Sequence, residues 1–228
     1  MRAILAEAAS IVSHTGWLSQ VPDDFREALL KRCVYCEKQN GQTITHGGDE
    51  AAGMFGVVSG SVGVYAAIGS SEAPLIHIGG PAFWFGFYPI ANGSPRIISV
   101  TARTRCAVAH IPGGALQLLL DQEPERWRWL NLLSLESAAL AVQALSDLLI
   151  RDNERRCAAV LLRVAGCRGA GNAPADANLT QDDLAQLSNL SRPTVSLILG
   201  RLADQGFVSS GYRTIRIKAP AQLRRLVG

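Results

Sequence analysis

Residues 179–208 read "LTQDDLAQLSNLSRPTVSLILGRLADQGFV", and this stretch decides what kind of protein the chain is. Thr180 with Asp183 three residues later is a capping box, so a helix is expected from about residue 181. Ala185 is a small residue inside that helix, Asn189 falls four positions later, and Val195 ten positions after Ala185. This is the spacing of a helix-turn-helix. The small residue lets two helices cross closely, a residue tolerant of the left-handed conformation makes the turn, and an apolar residue anchors the second helix. Ser191 is a good N-cap, and Pro193 sits in the first turn, where its missing N–H does no harm. Leu197, Ile198 and Leu202 continue the second helix, and Gly206 closes it.

Downstream, "FVSSGYRTIRIKA" (207–219) reads as two strands around Ser209-Ser210-Gly211, a β-wing that offers Arg213 and Arg216 to phosphates. The charge agrees. Residues 1–150 hold 10 Lys and Arg against 13 Asp and Glu, net −3, whereas residues 151–228 hold 12 against 6, net +6. A basic C-terminal third on an acidic body is an electrostatic footprint of nucleic-acid binding. The expected DNA-binding residues are Thr180, Gln181, Ser191, Arg192, Pro193, Thr194, Ser196, Leu197, Arg201, Arg213 and Arg216. The rival is a winged helix that binds protein; salt-sensitive binding to duplex DNA separates the two.

Upstream, "LNLLSLESAALAVQALSDLLI" (130–150) is apolar almost all round, with Pro124, Asp121 and Glu123 as its start signal. A helix apolar on two sides needs two partners. One side can pack on the preceding domain and the other on the same helix of a second copy. Leu130, Leu133, Leu140, Leu145 and Leu148 are the expected dimer-helix residues. Asp152-Asn153 then interrupts the apolar run as a hinge, "ERRCAAVLLRVAG" (154–166) reads as a further helix, and "GAGNAPADAN" (169–178) as a flexible loop.

Between about 33 and 112 the texture is different. Short β-type runs alternate with glycine turns, and in "SGSVGVYA" (59–66) Val62, Val64 and Ala66 alternate with other residues. Such spacing predicts a β-sandwich or roll. Before it, Ile4, Leu5, Ala8, Ile11 and Val12 suggest a first helix and "PDDFREALLKR" (22–32) a second. The expected fold class is α+β, with a β-roll sensor domain over 1–122, a dimerisation helix and hinge over 123–151, and a winged helix-turn-helix over 152–228.

Composition narrows the function. The chain of 228 residues is 48% hydrophobic and 18% charged, enough to bury a core. It carries no long uncharged apolar run and no apolar signal-peptide region, so the expected location is the cytoplasm, away from any membrane. Five scattered cysteines make no disulfide framework, and Cys33-x-x-Cys36 lacks a second pair to complete a zinc site, so no metal site is expected. G-x-S-x-G, P-loop and H-E-x-x-H motifs are missing and only four scattered histidines occur, so an enzyme is not expected.

The β-run, the long apolar helix, the hinge and the C-terminal winged helix together resemble the CRP/FNR family of bacterial transcription regulators. The segments that carry the resemblance are "HGGDEAAGMFGVVSGSVGVY" (46–65), "WFGFYPIANGSPRIISVTART" (84–104) and the helix-turn-helix. The resemblance implies a cyclic-nucleotide-binding-like β-roll and a homodimer on a pseudo-palindromic duplex. It also implies contacts with RNA polymerase and, in many members, an effector in the β-roll. The family's recognition helix commonly reads Ser-Arg-Glu-Thr-Val-x-Arg. Here Arg192 is kept, while Pro193 and Leu197 replace the Glu and the second Arg, so the common family half-site is not implied.

Cyclic-nucleotide-binding members carry Phe-Gly-Glu, then Pro-Arg-Ser or Pro-Arg-Thr. The matching residues here are Phe85-Gly86-Phe87 and Pro95-Arg96-Ile97. Phe87 stands for the carboxylate that accepts from ribose and Ile97 for the hydroxyl on the phosphate. Ala141-Val142 corresponds to the polar pair that faces adenine. Three polar functions are thus apolar, which speaks against cyclic AMP. Iron–sulfur chemistry lacks ligands, with no cysteine before Cys33, and His77 is the one candidate haem ligand. The possible effector pocket is Trp84, Phe85, Gly86, Phe87, Tyr88, Arg96, Ile97, Ala141 and Val142. Its segment "FWFGFY" (83–88) holds five of the chain's 14 aromatic residues. Strand alternation puts Phe83, Phe85 and Phe87 on one face and Trp84, Gly86 and Tyr88 on the other. Two readings stand: the rings fill the pocket and no cofactor or effector is used, or they line it for an apolar or anionic molecule held by Arg96.

Overall fold

The computed structural model describes residues 15–50, 53–67, 73–169 and 172–228. The helix expected from Ile4 to Val12 lies outside them. The chain divides into two compact units, Met1–Pro74 with Ile78–Ala138, and Leu75–His77 with Ala139–Gly228.

The first unit opens with a 3-10 turn, Gly16–Gln20, and helix α1, Asp23–Leu30, whose first turn carries Asp23 and Asp24 where the helix dipole favours acids. Strands β1 (Val34–Lys38), β2 (Thr43–Thr45), β3 (Gly53–Ser59), β4 (Val62–Ala66), β5 (Leu75–Gly79, whose first three residues are grouped with the second unit) and β6 (Trp84–Phe85) follow. After them come a short helix α2 (Tyr88–Asn92) and strands β7 (Ile98–Ala102) and β8 (Cys106–Pro112). One sheet runs β1-β8-β3-β6 and another β2-β7-β4-β5.

Both faces of β3 are buried, and its period of two sorts its side chains into two cores. Phe55 and Val57 join Val62, Val64, Phe85, Val100 and Val108 in one cluster. Met54 and Val58 join Trp17, Leu18, Phe25, Trp84 and Ile111 in the other. Trp17 closes this second core, donating through Nε1 to the Trp129 carbonyl at 2.6 Å and meeting Trp84 edge-on at 5.8 Å.

Helix α3, Gly113–Gln122, is an element the sequence reading did not separate from the roll, and Leu116, Leu119 and Leu120 bury it in the same core. The long helix α4 spans Arg126–Leu148, so Pro124 precedes it by two residues instead of starting it. Its expected dimer-facing residues divide. Leu130 and Leu133 are 2% and 4% exposed inside the first unit's own core, which leaves them no surface for a partner copy. Leu140 is half-buried, and Leu145 and Leu148 are exposed.

In the second unit, α5 (Asn153–Val164) starts on the Asp152 side chain, which accepts from the Arg155 N–H. The fully buried Asp147 carboxylate pairs with Arg163 at 2.8 Å and also with Arg168, tying the end of α4 to α5. β9 (Ala175–Ala177), α6 (Gln181–Ser188), α7 (Arg192–Asp204), β10 (Val208–Gly211), β11 (Thr214–Ile217) and α8 (Pro220–Val227) complete the unit. The sheet order is β10-β11-β9. The sequence reads Ala175–Ala177 as part of a loop. Three residues with poor strand propensity become a strand because Ala177, Asp176 and Ala175 pair with Ile215, Arg216 and Ile217. The wing also turns later than expected. Ser209 and Ser210 pair with Arg216 and Ile215 inside the hairpin, and the two-residue loop is Tyr212-Arg213, with Arg213 at φ +55°.

Candidate nucleic-acid interface and effector region

Local chemistry builds the helix-turn-helix. Thr180 and Asp183 form a complete capping box: the Thr180 hydroxyl accepts from the Asp183 N–H, and the Asp183 carboxylate accepts from the Thr180 N–H at 2.7 Å. Asn189 ends α6 in the left-handed conformation, φ 50° and ψ 51°. Ser191 caps α7 by accepting from the Thr194 N–H, with Pro193 in the first turn. Val195, Ile198, Leu199 and Leu202 are buried and seat α7 on the unit.

The expected contact residues lie mostly on the surface. Ser191, Arg192, Pro193, Ser196, Leu197, Arg201, Arg213 and Arg216 are exposed, while Thr180, Gln181 and Thr194 are half-buried. Arg192, Arg201 and Arg216 each carry an acidic neighbour that the sequence reading missed. Arg192 pairs with Asp182 at 3.3 Å, Arg201 with Glu154 at 3.3 Å, and Arg216 with Asp176 at 3.2 Å. No short spacing announces these pairs; the helix crossing and the strand register create them. Beside α7, a cavity of about 410 Å³ is lined by Arg151, Asp152, Asn153, Glu154, Thr194, Leu197, Ile198 and Arg201. Gly200, also passed over in the sequence, is exposed on the outer face of the same helix.

In the first unit the aromatic segment does not keep strand alternation. Only Trp84 and Phe85 are strand, and they face the two different cores. Gly86, at φ +92°, reverses the chain, so Phe87 packs on the Trp84 side instead of with Phe83 and Phe85, and Tyr88 begins α2. Phe83 stacks on Phe85 (5.9 Å), Phe85 on Phe55 (5.5 Å) and Phe55 on His110 (4.4 Å). Trp84 is core, as its 2% exposure shows.

Arg96 is 5% exposed. Its guanidinium donates to the Gly53 carbonyl at 2.9 Å and the Gly86 carbonyl at 3.2 Å, and lies 5.9 Å from the Phe55 ring centre. Burial lowers its pKa, partly countered by Asp49. A Cβ on Gly86 would stand 2.8 Å from Arg96 Nη1 and 2.9 Å from the Gly53 oxygen, so this turn admits only glycine. Ile97 is partly exposed, and Ala141 and Val142 are exposed on the part of α4 that belongs to the second unit.

The remaining candidates are half-buried groups. His77 is half-buried, and its pKa is pushed down to about 4 by desolvation and by Arg163, which favours the neutral imidazole. Cys33, just before β1, is pushed up to about 12 by burial, which keeps its thiol protonated and inert. No group of three or more metal-binding side chains occurs among the described residues, and none of their helices is long and apolar enough to cross a membrane.

Two family models match this chain. The cyclic nucleotide-binding domain matches residues 36–123 and the Crp-like helix-turn-helix domain residues 155–226. The chain is 26% identical over 218 residues to the CRP-like cAMP-activated global transcriptional regulator of Mycobacterium tuberculosis, covering 94% of this chain and 97% of that one. It is 25% identical over 196 residues to the cAMP-activated global transcriptional regulator CRP of Escherichia coli, covering 85% and 93%. Its fold is similar to that of FixK2 from Bradyrhizobium japonicum, with a TM-score of 0.74 at 19% identity over 86% of this chain and 98% of that one. A cyclic-nucleotide-binding-type β-roll followed by a Crp-type helix-turn-helix, matched along nearly the whole length of these regulators, places the chain in the CRP/FNR family of DNA-binding transcription regulators.

Proposed function

We propose that the chain acts as a homodimer on a pseudo-palindromic duplex site, engages RNA polymerase from there, and is not controlled by cyclic AMP. The observation that carries the DNA reading is α7 itself, seated on the unit by Val195, Ile198, Leu199 and Leu202 with Arg192 and Arg201 exposed along it. The dimer reading rests on the exposed residues of α4. Leu135, Val142 and Leu149 are 58–72% exposed and seven residues apart, continuing just past the helix end, and Ala138 and Leu145 repeat the interval between them. Apolar residues at this repeat make a seam for a second helix of the same kind.

The residues present do not fit a cyclic nucleotide. A ribose hydroxyl set against Phe87 would find no acceptor, and an unpaired buried polar group costs about 1–3 kcal/mol. Arg96 is already bonded to two carbonyls and buried against Phe55, so gripping a phosphate means breaking an internal structure. The stacked rings from Phe83 to His110 favour a filled, ligand-independent sensor domain over a lined pocket.

The test selects duplexes from a random pool with the full chain and then measures binding by gel shift. The expected result is an inverted-repeat site holding two chains, with affinity that falls steeply with salt and does not respond to millimolar cyclic AMP. A cyclic-AMP-dependent shift overturns the effector reading, and one chain per site overturns the dimer. Transcription from a template bearing the selected site, with and without the chain, tests the polymerase contact.

A further inference from the structure

On α7, Val195, Ile198, Leu199 and Leu202 define the inward direction. At about 100° per residue, the direction opposite falls among Pro193, Leu197, Gly200 and Asp204. Asp204 is the last residue of the helix, so along the body of α7 the outward face is Pro193, Leu197 and Gly200, which offer no side-chain donor or acceptor. Arg192 and Ser196 stand along one side of it, and Arg201 and Thr194 along the other.

Two of these residues have no explanation inside the chain. Leu197 is 66% exposed in mid-helix. Gly200 sits in the interior of a 13-residue helix at a non-positive φ, and a Cβ there would meet nothing within 4 Å. Glycine at such a position costs helix stability, and neither the backbone nor the packing here requires it. A bare backbone beside an exposed leucine fits an external surface that comes very close and is apolar at the point of contact. On the floor of the DNA major groove one feature answers that description, the 5-methyl group of thymine.

We propose that the base pairs under the centre of α7 are read through pyrimidine 5-methyl groups. Leu197 and Pro193 contact the methyls, Gly200 lets the helix backbone descend onto them, and Arg192 supplies polar contacts at one side. The inference rests on the DNA-binding reading above. It identifies what replaces the missing Glu and Arg of the common recognition helix. It also makes a chemical distinction, since a methyl contact is satisfied by 5-methylcytosine but not by uracil.

The experiment uses the full chain and the duplex it selects from a random pool. Selection of no sequence at all defeats the DNA-binding reading. Given a selected half-site, each thymine in it is replaced by deoxyuridine, deoxycytidine or 5-methyldeoxycytidine. The expected result is about a fourfold loss of affinity for each contacted methyl removed as deoxyuridine, and recovery of most of the affinity lost to deoxycytidine when 5-methyldeoxycytidine is used instead. Leu197→Ala should make binding insensitive to deoxyuridine at one of these positions. Gly200→Ala should raise the melting temperature while weakening the selected duplex, a split that a merely structural glycine would not give. Full affinity on deoxyuridine, 5-methyldeoxycytidine binding no better than deoxycytidine, or an unchanged deoxyuridine effect in Leu197→Ala overturns the proposal and leaves the DNA-binding reading standing.

Discussion

The guanidinium of Arg192 at the start of α7 lies 3.3 Å from the carboxylate of Asp182 in the first turn of α6, so the first cation of α7 is held by an acid of the helix before it. Both side chains are more than half exposed, and exposed pairs contribute about 0.2–1 kcal/mol. Asp182→Asn should release Arg192 and remove a negative charge from the proposed DNA-facing surface. The expected outcome is affinity for duplex DNA raised by up to about fivefold with little change in melting temperature, read by gel shift and thermal unfolding. Arg192→Ala should lower affinity for the selected site by about 1–3 kcal/mol, and unchanged binding removes Arg192 from the interface.

Arg96 closes the turn at Gly86 by bonding the carbonyls of Gly53 and Gly86. Arg96→Met keeps much of the side-chain bulk but leaves both oxygens buried without a donor. A loss of about 2–4 kcal/mol in the stability of the first unit is expected by denaturant unfolding. A variant as stable as the parent would mean that Arg96 is held in reserve for an anion and not used as an internal brace.

Val142 is 63% exposed on the apolar row of α4. In Val142→Glu a charge enters the proposed seam once from each copy, and its desolvation weakens a dimer by at least about a hundredfold. Sedimentation should show a monomer with an unchanged fold. A dimer that survives the substitution places the interface elsewhere.

Asp147 has no exposed surface and neutralises Arg163 and Arg168. Asp147→Asn keeps the shape and strands two cations, one of them with its side chain 2% exposed. A destabilisation of about 3–5 kcal/mol is expected in thermal or denaturant unfolding of the second unit.

His77 stays neutral down to a pKa of about 4, against an ordinary value of 6.5, because burial and the neighbouring Arg163 penalise its charged form. The unfolded chain takes up a proton near pH 6.5 and the folded chain does not, so this residue's contribution to stability is complete above pH 6.5. It is lost as pH falls towards 4, by about 3 kcal/mol in all. Stability measured between pH 7 and 4 should fall less in His77→Gln than in the parent. Parallel curves would mean that His77 takes a proton in the folded state as easily as in the unfolded one.

The helix-turn-helix is legible in the sequence because each of its determinants acts within a few residues. Thr180 caps Asp183, Ser191 caps Thr194, and Asn189 alone makes the left-handed turn. The alternation and glycine corners of the β-run likewise announced a roll. Folding alone sets the fate of residues whose partners are distant or whose neighbourhood is apolar on every side. The long helix reads as apolar all round, so periodicity cannot say which leucines its own chain covers; packing buries Leu130 and Leu133 and leaves Leu135, Val142 and Leu145 bare. Strand alternation through the aromatic segment broke at Gly86, where a positive φ turns Phe87 to the other core. Arg96, the residue a motif would assign to a phosphate, is instead bonded to carbonyls 10 and 43 residues away. A short motif specifies which functional groups are present. Whether a buried guanidinium faces a ligand or its own backbone depends on which acceptors the folded chain has left unsatisfied around it.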